Sequence, residues 1–96
     1  MSPSTFARTG AFRTRIVHDR DGDRVAFVVD AIPATADDVR VEAGSSRVRI
    51  RIRTDAREYD RTFPSPSGQY FTDERSAVLT NGILTVTVGT AGRPRP

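Results

Sequence analysis

The chain has 96 residues and a net charge of +3, enough for one small domain that buries about 60–65% of the surface its unfolded chain exposes. It has no cysteine and a single histidine, His18, which excludes disulfide frameworks, thiolate chemistry, zinc-cysteine sites and multi-histidine metal centres. No apolar run approaches the roughly 20 residues of a membrane-spanning helix, and the first twelve residues lack a signal-peptide core, so a soluble cytoplasmic protein without metal or cofactor is expected.

Residues 1–12 show no period and read as a flexible arm, with Phe6 and Phe12 as its apolar points. From Arg13 onward, two-residue alternation and β-branched runs dominate, broken by turn signals. Residues 13–18 form a short strand, residues 19–23 (DRDGD) a turn with Gly22 free to take positive φ, and residues 24–32 a second strand with Val25, Phe27 and Val29 on one face. Pro33 ends it, and residues 34–37 can make one helical turn. Val39, Val41 and Ala43 then alternate with Arg40 and Glu42.

Gly44-Ser45-Ser46 turns the chain into residues 47–54 (RVRIRIRT), the cleanest alternation present. Asp55-Ala56 is a tight turn into a returning strand, residues 57–63. Residues 64–68 (PSPSG) cannot be central strand, because two prolines remove ladder donors. A polar loop with Tyr70 and Phe71 follows. Strands 76–80 and 83–88 are joined by Asn81-Gly82, a strong hairpin signal between apolar runs. Residues 89–96 read as a disordered tail. About seven short strands and almost no helix predict an all-β, antiparallel immunoglobulin-like β-sandwich over residues 13–88.

The C-terminal third carries more than a pattern. Ala77, Asn81, Gly82, Ile83 and Leu84 resemble, position by position, the signature that closes the α-crystallin domain of small heat-shock proteins. Residues 23–41, with a proline-containing connector and the acidic pair Asp37-Asp38, are similar to that family's early strands, and Arg61-Thr62-Phe63 to its Arg-x-Phe. Three departures stand out. Only Asp55-Ala56 separates two strands between which bacterial members insert a dimer-swapping strand. The family's C-terminal Ile-x-Ile anchor is absent from residues 89–96, and Ser65-Pro66 stands where Leu-Pro is usual. The outline is close to the CS domain of co-chaperones, and a monomer or atypical dimer is expected rather than a large oligomer.

Arg47, Arg49, Arg51 and Arg53 share one strand face. With Asp55-Ala56 as the turn, Arg53 opposes Glu58, Arg51 opposes Asp60 and Arg49 opposes Thr62, while Ile52 meets Tyr59 and Val48 meets Phe63 on the other face. One face is thus an ion-pair ladder and the other a core, which leaves little free positive potential for nucleic acid. Asp19, Asp21 and Asp23 resemble the start of a calcium loop, but Arg24 stands where that loop needs glycine, so a hairpin turn is expected. His18 has no partner at catalytic spacing, no nucleophile or carboxylate pair stands out, and an enzyme is not expected.

What remains is an open edge. Residues 39–43 and 76–80 are candidate edge strands, whose unpaired N–H and C=O groups can take up an extended chain. The resemblance implies a client or peptide groove between them, lined by Val39, Val41 and Ala43 from one strand and by Val78 and Leu79 from the other. The alternative is that these residues merely finish the core. The function implied is an ATP-independent holdase for partly unfolded clients, and the alternative a monomeric CS-like adaptor for one protein partner, with no membrane role.

Overall fold

The structure, a computed structural model, describes residues 12–19, 23–55 and 57–92. The elements are β1 Thr14–Asp19, β2 Arg24–Asp30, a 3-10 turn Ala36–Asp38, β3 Val39–Ala43, β4 Arg47–Arg53, β5 Glu58–Pro64, β6 Gln69–Thr80 and β7 Ile83–Gly92. All strand pairs are antiparallel. They form a four-stranded sheet ordered β1-β2-β7-β6 and a three-stranded sheet ordered β3-β4-β5. This is the expected antiparallel sandwich, and its helical turn begins two residues later than the connector at 34–37 implies.

Alternation decides which side of each strand is buried. Val25, Phe27 and Val29 of β2, Val48, Ile50 and Ile52 of β4, and Leu84, Val86 and Val88 of β7 all lie in the core. Burying each such side chain fully contributes about 1.5–3 kcal/mol, the main favourable term in a domain this small. Aromatic rings tie the layers together: Phe27 of one sheet lies 4.7 Å from Phe63 of the other and 6.3 Å from Phe71 in a T-shaped pair. Tyr59 buries its ring beside Phe12 and shares a 2.7 Å hydrogen bond between its hydroxyl and that of Thr14, so its polar tip is satisfied.

Both tight hairpins form where expected, and that of β4 and β5 closes in the expected register. Across β4 and β5 the pairs are Arg53 with Glu58, Ile52 with Tyr59, Arg51 with Asp60, Arg49 with Thr62 and Val48 with Phe63. At the β6–β7 turn Asn81 and Gly82 have φ of 51° and 80°, the two left-handed residues of a type I′ turn. A Cβ on Gly82 would also collide with Ile32.

Three segments differ from the sequence expectation. Tyr70 and Phe71 belong to β6, not to a loop, and β7 runs past Val88 to Gly92. A bulge hides this pairing: the register shifts between Phe71 and Arg75, so Thr72, Asp73 and Glu74 interrupt the alternation. Gly89 lies across from the bulge, where any Cβ would strike the Thr72 hydroxyl. Phe12, assigned to the arm, is a buried core residue held beside Tyr59, with Arg57 over its ring at 5.4 Å. Gly22 and Asp21 of the first turn, and residues 93–96, lie outside the described residues.

Candidate functional site

The three-stranded sheet ends at β3 and the four-stranded sheet at β6, as expected of the two edge strands. At the end of the β3–β4 ladder the Gly44 N–H donates to the Arg47 carbonyl at 2.9 Å, in step with the pairs Glu42–Arg49 and Arg40–Arg51. Antiparallel alternation therefore turns the main-chain groups of Arg40 and Glu42 toward β4. Those of Val41 and Ala43 and the Val39 carbonyl point out of the sheet edge, while the Val39 N–H bonds the Ala36 carbonyl. The side chains of the same three residues face inward and pack, half-buried, on the core.

On β6, Leu79, Ala77 and Arg75 are the direct partners of Leu84, Val86 and Val88, all buried residues of β7. These three positions thus face the inside of the sandwich. Yet Ala77 is exposed and Leu79 only half-buried, so the inner face of β6 stays partly accessible along the seam between β3 and β6. Arg75 bridges it at one end, donating from Nη1 to the Ala43 carbonyl at 2.8 Å and from Nε to the Thr72 carbonyl at 2.9 Å.

Of the residues expected to line a groove, Val39, Val41, Ala43 and Leu79 pack half-buried against the core, and Val78 does not share their face. Val78 pairs with Thr85, lies on the outer face of its sheet and is 54% exposed. Strand parity is the reason: counting back from the two-residue turn puts Leu79 beside Leu84 and Val78 on the opposite side. The same count finds Ala77 as a lining residue. Of the remaining signature residues, Leu84 is core, Ile83 is half-buried, and Asn81 and Gly82 make the turn. Arg75 gave no sequence signal as a seam residue, because the bulge before it breaks the alternation from which its direction could be read.

The outer face of β3-β4-β5 is charged. Asp60 takes two hydrogen bonds from Arg49, Nε to Oδ1 at 2.9 Å and Nη2 to Oδ2 at 2.7 Å, a bidentate fork. Arg53 pairs with Glu58 at 3.1 Å. Arg51, directly opposite Asp60, stays 3.9 Å away because the acid turns to its diagonal neighbour. These hydrogen bonds from Arg49 hold the Asp60 carboxyl below its ordinary pKa, and Asp60 in turn raises that of Arg49. On β5, the inward-facing position between Tyr59 and Phe63 is Arg61, whose guanidinium sits 4.9 Å from the Phe63 ring centre. A charge facing inward on an edge strand discourages sheet extension there.

The architecture has solved counterparts. A point mutant of hsp14.1 from Sulfolobus superposes with a TM-score of 0.72 at 13% identity, covering 95% of this chain and 80% of that one. Heat shock protein 16.0 from Schizosaccharomyces pombe gives 0.69 at 19% identity, with 88% and 91% covered. This is the α-crystallin fold. A small heat-shock protein from Xylella fastidiosa gives 0.68 at 16% identity over 88% of this chain and 90% of that one. At such identities the likeness is one of fold. No family model matches the chain, and no curated protein matches it in sequence. Among the described residues, no helix is long and apolar enough to cross a membrane.

Proposed function

We propose that this α-crystallin-fold protein is an ATP-independent cytoplasmic holdase that captures extended, apolar segments of unfolding proteins along the β3–β6 seam. The observation that carries this reading is the coincidence of outward-facing main-chain groups, both of Val41 and the carbonyl of Val39, with the half-buried apolar side chains of the same residues. Edge pairing gives sequence-tolerant affinity, and the lining of Val39, Val41, Ala43, Ala77 and Leu79 adds apolar burial. A client strand held there cannot pair with another client, the route by which exposed strands aggregate. The fold shared with heat-shock proteins supports the same class of role.

Light scattering of a heated model client tests the reading. Stoichiometric protein slows aggregation, and Val41→Asp, which puts a charge on the lining, weakens that protection. Absence of protection at several-fold excess contradicts it.

One observation favours a second reading, a monomeric adaptor docking on one partner. The Thr54 N–H bonds the Arg57 carbonyl at 2.8 Å, so β4 and β5 are joined by a tight turn without the inserted strand that dimerises bacterial small heat-shock proteins. A pull-down that returns one stoichiometric partner, rather than a spread of unfolding proteins, distinguishes this from the holdase.

A further inference from the structure

The free edge of β3 carries an unmatched charge. Arg40 and Arg51 are direct cross-strand partners on the outer face of the sheet, an arrangement of like charges that disfavours the pairing. Asp60 offsets it only on the Arg51 side, with Oδ2 3.9 Å from Arg51 Nε while both oxygens accept from Arg49. Asp37, Asp38, Glu58 and Asp60 border the same hollow as Arg40 and Arg51, but the Asp38 carboxylate accepts from the Thr35 N–H at 2.9 Å and Glu58 pairs with Arg53. Among the described residues Arg40 makes no ion pair. Glu42, the other outward side chain of β3, already faces Arg49.

A strand added to this edge has a determined geometry. The residue opposite Val41 exchanges both main-chain hydrogen bonds with it. The residue opposite Val39 donates to the Val39 carbonyl only, because the Val39 N–H is held by the Ala36 carbonyl. Both turn their side chains into the seam. The residue between falls opposite Arg40, on the outer face. It forms a non-hydrogen-bonded pair there, the closer of the two antiparallel spacings, at about 4.5 Å between Cα atoms. The far end of the edge is taken, since Arg75 holds the Ala43 carbonyl.

Resting on the seam reading above, we propose that the β3 edge selects protein segments of the form apolar–acidic–apolar, with the carboxylate set against Arg40 and Arg51. Such a segment gives Arg40 the direct ion pair that none of the neighbouring carboxylates makes with it and fills the lining at Val39 and Val41 at once. Arg40 is then the specificity residue and Arg75 the stop that limits pairing to this end of the strand.

Fluorescence anisotropy of the full chain with three labelled hexapeptides, identical except for a Val-Glu-Val, Val-Gln-Val or Val-Lys-Val centre, tests the proposal. The Glu peptide binds about two- to fivefold tighter than the Gln peptide, and the Lys peptide weakest. High salt narrows the spread. Arg40→Glu, at an exposed position whose loss does not threaten folding, inverts the order. Equal affinity of the three peptides for the native chain, with Val41→Asp weakening all of them, overturns charge selection and leaves the seam standing. Failure of every peptide to bind overturns both.

Discussion

Asp60 and Gly82 show how single residues hold this sandwich. The Arg49 hydrogen bonds lower the folded-state pKa of Asp60 below its unfolded value, so the pair contributes stability that is fully present above that unfolded value, near ~3.9. The contribution is lost as pH falls through the lower, folded value. Asp60→Asn is therefore expected to lower the urea midpoint at pH 6, and the gap to the native chain should close as pH drops below about 4. A constant gap down to the acid limit contradicts the assignment. Gly82 is constrained twice, by a φ of 80° and by Ile32 over its missing Cβ. Gly82→Ala is expected to cost about 1–3 kcal/mol in chemical denaturation, whereas Asn81→Gly, in the same turn without that collision, should cost far less.

At the scale of the element, β6 has two faces with different consequences. Leu79 faces the seam and Val78 the outside. Leu79→Ser should weaken client protection in the scattering assay, and Val78→Ser should leave it unchanged; equal effects of the two contradict a lining that includes one and not the other. The strand also marks where sequence reading succeeds and stops. The β4–β5 register could be read because a two-residue turn lies between uninterrupted alternations, so every facing pair follows from one sum. The same count from Asn81-Gly82 would have placed Leu79 and excluded Val78, but an exposed valine is as apolar as a buried one and composition does not separate them. Residues 69–75 could not be read, since the bulge at Thr72, Asp73 and Glu74 erases the period. Phe12 was missed for a different reason: its burial depends on Tyr59 and Arg57, far along the chain, and nothing local announces it.

For the whole molecule, two sheets of unequal width leave edges that are treated differently. Arg61 guards β5 with an inward charge, and Arg75 closes only one end of the β3–β6 seam. The rest of that seam brings apolar side chains and outward main-chain groups together, the feature on which the proposed capture of an extended chain rests. The tight β4–β5 turn bears on assembly: sedimentation near 10.6 kDa is expected of a chain without a swapped strand, and a multi-megadalton or twelve-subunit species contradicts that view.

The most direct test is residue-resolved amide hydrogen exchange with and without a reduced, permanently unfolded client. The Val41 N–H points out of the β3 edge, so it should exchange quickly in the free protein and become protected when client binds. The Arg40 N–H, bonded to β4, should be slow in both states and serves as the internal control. Client bound with Val41 still exchanging freely, or with protection confined to another surface, contradicts the account.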